Sequence, residues 1–414
     1  MSTHTFTEHD FRPVILGGDI TAYSLVRTFH EAYAVKSLVV NMTEAGPIAM
    51  SGLCDHIYEA GLENEANLIE ALSKVGAQEG AAKGKKLILL AAGDWYVRLI
   101  IENRELLEQW FVIPYIGEDL MNEIVLKDKF YGYLDTLDLP YPKTVVVDVP
   151  SGEDVEVPAE WGYPIVAKPA SSALYHYAKF PGKKKVYILH SKAELDEMLV
   201  NLRTSSYDYK FLVQEFVPGN DTNMRVLTCY SDKNGKVVFG SLGHVLLEEH
   251  VPMAIGNPCV IINTEDDEII NQAKAFLEHV GYVGYSNFDL KYDPRDGTYK
   301  FFEINVRLGR SNYYVTAGGN NTAEYYVRDH VYGEDFEGVT YARGEHLFAF
   351  VPKYVIKKYV LDKPLRDKAL GLMKAGKSSD PNSYKPDLTP KRRAYNLAYH
   401  LNQIRKFRTH FVAR

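Results

Sequence analysis

Short apolar segments alternating with helix-length amphipathic stretches fill the first 120 residues, and no other feature limits the fold as tightly. Pro13-Val14-Ile15-Leu16 is an apolar run closed by Gly17-Gly18-Asp19. Ile20 to Ala34 then repeats its apolar residues at helical spacing. Ser37 to Asn41 reads as a second strand, Asn64 to Val75 as a helix, Lys86 to Ala92 as another strand and Asp94 to Glu108 as a further helix. Strands separated by whole helices make a parallel, helix-covered sheet, because each parallel crossover needs a helix's length of chain. Ligands of such sheets sit at the carboxyl ends of the strands, where Gly17, Gly18 and Asp19 lie. Glycines here also suit a plain strand-to-helix turn, so ligand contact and turn stay open as two readings.

At about 100–200 residues per domain, the 414 residues make two to four domains. The pattern changes near Asn122. A helix from Lys127 to Leu137 is stopped by Leu139-Pro140-Tyr141-Pro142. Strands follow at Thr144 to Val149, Ile165 to Lys168, Lys185 to Leu189 and Phe211 to Phe216, interrupted by a helix from Lys192 to Leu202. Asn223 to Val306 reads as strands around one helix, Asp266 to Val280, and a basic tail closes the chain. The segments are therefore 1–121, 122–217, 218–340 and 341–414, the last read as a small extension with a solvated basic face.

A hydrophobic share of 46% supports a sizeable core. The net charge of −7 argues against sequence-independent nucleic-acid binding, which needs a basic field. Cys54, Cys229 and Cys259 form neither a CxxC nor a disulfide framework, as expected in a reducing compartment. No apolar leader is visible, and runs such as Leu87 to Ala92 fall short of the ~20 residues of a membrane span. A cytoplasmic protein without a membrane span is expected.

The chemistry concentrates in Asn287-Phe-Asp-Leu-Lys-Tyr and Lys300-Phe-Phe-Glu-Ile-Asn-Val-Arg307, joined by the turn Asp293-Pro-Arg-Asp-Gly297. The turn residues predict a hairpin. Strand alternation sets Glu303, Asn305 and Arg307 on one face and Phe302, Ile304 and Val306 on the other, while Asp289 shares a face with Asn287 and Lys291 on the partner strand. Two carboxylates and an amide oxygen are the hard donors that Mg²⁺ takes when it also holds phosphate. Read alone, the segment is equally an amphipathic hairpin with its polar side in water. Lys168 ends an apolar strand and Lys129 opens a helix, both suited to polyphosphate and both, singly, ordinary surface lysines. Phe211-Leu-Val-Gln-Glu-Phe-Val-Pro-Gly219 is an apolar strand running into an extended linker.

The order helix-start Lys, strand-end Lys, Gln-Glu-Phe-Val-Pro-Gly, Asp and Glu-x-Asn-x-Arg resembles the ATP-grasp superfamily of carboxylate–amine ligases over residues 122 to 335. The resemblance implies an N-terminal Rossmann-like α/β domain, a two-lobed α+β ATP-grasp fold and a small C-terminal extension. It implies ATP on Lys129 and Lys168, adenine at the main chain of Glu215 and Val217 with Gln214 and Phe216 beside it, and ribose at Asp221. Asp289, Glu303 and Asn305 would hold Mg²⁺ (or Mn²⁺), and Arg307 would stabilise the phosphorylated carboxylate, with Arg307 or Arg310 meeting the later oxyanion. The loop after Lys168, commonly glycine-rich in the family, reads Pro169-Ala-Ser-Ser-Ala here, leaving Ser171 and Ser172 as phosphate contacts. His244 and Glu248 are candidate bases.

Length, the Ile-Leu-Gly-Gly-Asp start and Glu303-Ile-Asn-Val-Arg-Leu-Gly-Arg-Ser-Asn-Tyr-Tyr314 are similar to the D-aspartate ligases. That implies an amino-acid carboxylate as donor and an amine acceptor on a nucleotide-linked wall precursor, in a homodimer. Another ATP-grasp ligase and a non-catalytic ATP-binding regulator are the alternatives.

Overall fold

The computed structural model describes residues 5–412 apart from 45 and 253, and only the backbone of Ser172 and Ala173. The chain divides into two compact units. Unit 1 comprises residues up to 118, 220–288 and 305 onward, and unit 2 comprises 119–219 and 289–304.

Unit 1 opens with the expected parallel sheet: β1 (Phe11–Leu16), β2 (Ser37–Asn41), β3 (Cys54–Tyr58), β4 (Lys86–Ala91) and β5 (Phe111–Val112), in the order β3-β2-β1-β4-β5. The sequence reading missed β3 and β5. Both are edge strands, and the mixed Cys-Asp-His-Ile-Tyr of β3 lacks the apolar run of a strand covered on two faces. Asp19 caps the helix Ile20–Tyr33 by accepting from the Thr21 and Ala22 amides at 2.9 and 3.2 Å. A Cβ at Gly18 would lie 2.1 Å from the Asn41 side-chain nitrogen, so packing by itself requires glycine here. The helix expected from Asp94 to Glu108 stops at Glu102, and Arg104 turns back to donate to the carbonyls of Tyr115 and Ile116.

Unit 2 carries the antiparallel strands β6 (Thr144–Asp148), β7 (Ile165–Pro169), β8 (Tyr187–Leu189) and β9 (Lys210–Glu215), ordered β6-β9-β7-β8. Leu195, Met198, Leu199 and Leu202 of the helix Lys192–Arg203 have the i, i+3, i+4, i+7 spacing of one face. They cover Ile165, Ala167, Phe211 and Val213 of β7 and β9.

The remaining strands are β10 (Met224–Ser231), β11 (Val237–Glu248), β12 (Pro258–Thr264), β13 (Gly284–Asp293), β14 (Thr298–Asn305), β15 (Thr340–Tyr341), β16 (Leu347–Ala349) and β17 (Ser378–Ser379). In unit 1, β10, β11, β12, β16 and β17 are successive neighbours. β13 and β14 form the expected hairpin: Asp293 accepts from the amides of Arg295 and Gly297, and Gly297 adopts φ +76°. The boundary between the units passes through both strands of this hairpin.

Residues after 341, expected as an extension, are part of the unit 1 core. β16 pairs with β12, and Phe348, Phe350, Ile356 and Phe407 share one apolar cluster with Phe11, Ile15 and Tyr23. Among the described residues no helix is long and apolar enough to cross a membrane.

Candidate active site

Alternation along β7 sends Ile165, Ala167 and Pro169 inward and leaves Lys168 on the opposite face. Lys168 is registered with Leu212, and Val166 with Gln214 of β9. Lys168 Nζ donates to Tyr131 Oη at 3.1 Å and stands 5.3 Å from the Phe302 ring. Tyr131 Oη donates in turn to the Phe302 carbonyl at 2.8 Å, and its ring stacks on Tyr141.

The helix Lys127–Thr136 brings in Lys127, whose Nζ lies 2.7 Å from Glu303 Oε2 of β14. A lysine in the first turn opposes the helix dipole, so its placement reflects the carboxylate and not helix stability. Burial works against the Lys127 charge, but Glu303 more than offsets it and the pKa is raised. Lys127 in turn holds the Glu303 carboxyl down to about 2. Lys168 has no such counter-ion: burial, then the neighbouring Lys127 charge, push it down to about 7. Lys127 and Lys168 thus both lie in the field of Glu303, and Lys127 also in that of Asp289.

Lys129, expected at the phosphates, pairs with Glu123 at 3.2 Å, both side chains being solvent-exposed. Lys127 is the lysine of this helix that lies against Glu303. The helix spacing explains why: Lys127, Phe130, Tyr131 and Leu134 fall at i, i+3, i+4 and i+7, and the last three are buried. Applying that periodicity to the Lys-Asp-Lys start would have chosen Lys127. Tyr131 was missed as well, for it reads as an ordinary core aromatic.

Glu215 accepts from the Lys143 amide at 2.9 Å and from Arg295 at 2.9 Å. Buried Gln214 donates to Thr144 Oγ1 at 2.7 Å. Lys291 donates to the Val217 carbonyl at 2.9 Å and lies 5.6 Å from the Phe216 ring. Ser171 is buried and caps the short helix Ser172–His176 through the Leu174 amide. The Ser172 side chain lies outside the described residues.

Asp289 on β13 and Glu303 on β14 belong to unit 2, and Asn305 and Arg307 to unit 1. Arg307 makes a two-pronged ion pair with Asp94, at 2.6 and 2.9 Å. Arg310 pairs with the buried Glu249, a partner the sequence reading did not single out. Asp221, expected at the ribose, accepts from the Glu248 amide at 3.0 Å and faces His250 Nε2 at 2.9 Å. His244 Nε2 lies 2.7 Å from the Thr222 carbonyl, and burial pushes its pKa down to about 4, so a base role is not supported by its surroundings. Asp19 serves as the cap of the helix Ile20–Tyr33, and Gly18 packs against Asn41.

Residues 127–317 match the family model of the ATP-binding domain of the carbamoyl-phosphate synthase L chain. The chain is 34% identical to the D-aspartate ligase of Enterococcus faecium (strain Aus0004), over 99% of this chain and 98% of that one. The arginine-specific carbamoyl phosphate synthase large chain of Geobacillus stearothermophilus is 22% identical over 48% of this chain and 18% of its own length. Among solved structures, the biotin carboxylase domain of Hydrogenobacter thermophilus 2-oxoglutarate carboxylase, in complex with MgADP, ADP and bicarbonate, superposes with TM-score 0.59 at 13% identity, covering 82% of this chain and 74% of that one. The L-amino acid ligase of Bacillus licheniformis gives 0.54 at 15% identity, covering 78% and 75%. These two likenesses establish the fold, and the near full-length identity establishes the group within it. The chain belongs to the D-aspartate ligase family of ATP-dependent, ATP-grasp carboxylate–amine ligases.

Proposed function

We propose that the chain activates a carboxylate of D-aspartate at the expense of ATP and joins it to the lysine side-chain amine of a peptidoglycan precursor. The observation that carries the phosphate half of this reading is the pair Lys127 and Lys168 in the field of Glu303. The donor rests on the similarity to the Enterococcus faecium D-aspartate ligase, and the acceptor on the resemblance to the D-aspartate ligases read from the sequence.

A carboxylate is a poor acyl donor because its leaving group would be oxide. Transfer of the terminal phosphoryl group of ATP to a carboxylate oxygen gives an acylphosphate, and attack by a neutral amine then expels phosphate and leaves an amide. Such transfers need positioning and charge neutralisation more than covalent help. Lys168, held by Tyr131, and Lys127 would neutralise the phosphates. Binding a polyphosphate would draw Lys168 back to its charged form. The linker Gln214 to Val217 would take the adenine.

Asp289, Glu303 and Asn305 fit Mg²⁺ or Mn²⁺: the donors are hard oxygens, and Glu303 is fully ionised at neutral pH. Among the described residues no three His, Cys, Asp or Glu side chains gather as a protein-only cage, so phosphate and water oxygens would complete the shell. Such an ion, when bound, supplies charge neutralisation at the phosphates. Arg307 would meet the acylphosphate by leaving Asp94, an exposed carboxylate whose hold is weak in water. Arg310, fixed by Glu249, would meet the tetrahedral oxyanion.

Hydroxylamine trapping with ATP, Mg²⁺ and a panel of D- and L-amino acids tests the donor. D-aspartyl hydroxamate is expected. A hydroxamate from another acid would favour the second reading, a different amino-acid ligase of the same fold. ADP release that rises on adding a lysine-containing wall precursor would support the acceptor.

A further inference from the structure

Charge in this chain is strongly segregated. Residues 353–412 carry fifteen Lys and Arg against four Asp, a net +11, in a chain whose total is −7. The helix Pro390–His410 holds six basic residues and no acid. One of its faces is built from Arg393, Leu397, Leu401, Arg405 and Arg408, spaced four, four, four and three residues apart, so they form a single stripe. All five are exposed, and Leu397 and Leu401 are 62% and 59% accessible. At its end the stripe continues onto a second helix, Lys353–Tyr359, where the Arg408 guanidinium lies 5.7 Å from the exposed Tyr354 ring and Lys358 lies 5.8 Å from it on the same helix. Arg408 and Lys358 pull the Tyr354 hydroxyl below its ordinary pKa, a sign of the local positive field.

We propose that this stripe is a docking surface for an anionic lipid bilayer. Arginines flanking a leucine pair, with an aromatic ring at one end, match the arrangement of charged headgroups over hydrocarbon. A nucleic-acid backbone would answer the arginines but offers nothing to the two exposed leucines. A plain solvated face would scatter its leucines and mix its charges. The surface lies outside the residues assigned to ATP, metal and substrates, so the inference stands independently of the donor and acceptor.

The test is cosedimentation of the full chain with vesicles of phosphatidylcholine alone or with about 30 mol% phosphatidylglycerol. Binding only to the anionic vesicles, at low ionic strength and released by about 0.5 M salt, is expected. The triple variant R393E/R405E/R408E should bind at least about a hundredfold more weakly. L397N/L401N, which leaves the charge intact, should lose about tenfold. Circular dichroism and ATP-dependent turnover in solution, expected unchanged, check that both variants are folded. No binding to anionic vesicles at low salt would overturn the proposal. Equal binding to phosphatidylcholine alone would do the same, as would no loss in L397N/L401N. Salt-sensitive binding to duplex DNA matching that to vesicles, or self-association abolished by the charge reversals, would assign the stripe to another partner.

Discussion

Lys168 is charged at a cost to the folded chain. Its pKa of about 7 lies far below the ordinary lysine value, so between the two the unfolded chain binds the extra proton. Stability therefore rises as pH climbs from about 7 through the lysine range, and the penalty is fully present below 7. Lys168→Met is expected to stabilise the ligand-free protein by roughly 1–3 kcal/mol at pH 6, with the gain fading toward pH 10. Urea titrations at the two pH values check this. The same variant should lose about 10²–10⁴ of kcat/KM, which separates a functional lysine from a structural one. ATP binding near pH 8 should take up a proton, read as a dependence of calorimetric heat on the buffer's ionisation enthalpy. No uptake would remove Lys168 from the phosphates.

At the scale of elements, the helix Lys127–Thr136 decides which of two lysines two residues apart faces Glu303. Lys127 shares the buried face with Phe130, Tyr131 and Leu134, and Lys129 is about 200° around the helix from it. Lys127→Met should lower kcat/KM by at least about a hundredfold, while Lys129→Met should stay within about twofold. Equal losses in both would return Lys129 to the site. The hairpin of β13 and β14 was readable because its Asp-Pro-Arg-Asp-Gly turn and two-residue alternation are local signals. The edge strands were not, for the mixed β3 lacks the continuous apolar run that marks a covered strand and β5 is only two residues long.

On the scale of the molecule, the last 75 residues are a structural partner of the first 55. Asp387, fully buried, accepts from Tyr23 Oη at 2.9 Å, Ser51 Oγ at 2.8 Å and the Gly52 amide at 2.9 Å. Arg392, also fully buried, lies 3.4 Å from Asp387 and 3.7 Å over the Tyr23 ring, and donates to the Pro47 carbonyl. Removing one charge leaves the other buried without its counter-ion. Asp387→Asn is expected to cost about 3–5 kcal/mol in a denaturant titration. Truncation after residue 340 should leave unit 1 unable to fold, seen as loss of the cooperative thermal transition.

The sequence by itself determined the parallel sheet of β1, β2 and β4, the ATP-grasp order of motifs, and the strands bearing Lys168, Asp289, Glu303 and Asn305, whereas Arg307 lies two residues beyond the end of β14. All of these rest on periodicity, turn chemistry and residue order, which operate over a few neighbours. Only the tertiary structure decided that Lys127 meets Glu303, that Asp221 is taken up by His250 and the Glu248 amide, that Glu249 fixes Arg310, and that the chain's end belongs to the core of its beginning. Each of these joins residues at least 27 positions apart or sets which way one side chain turns. Burial and charge pairing decide such choices, and neither exists until the chain has folded.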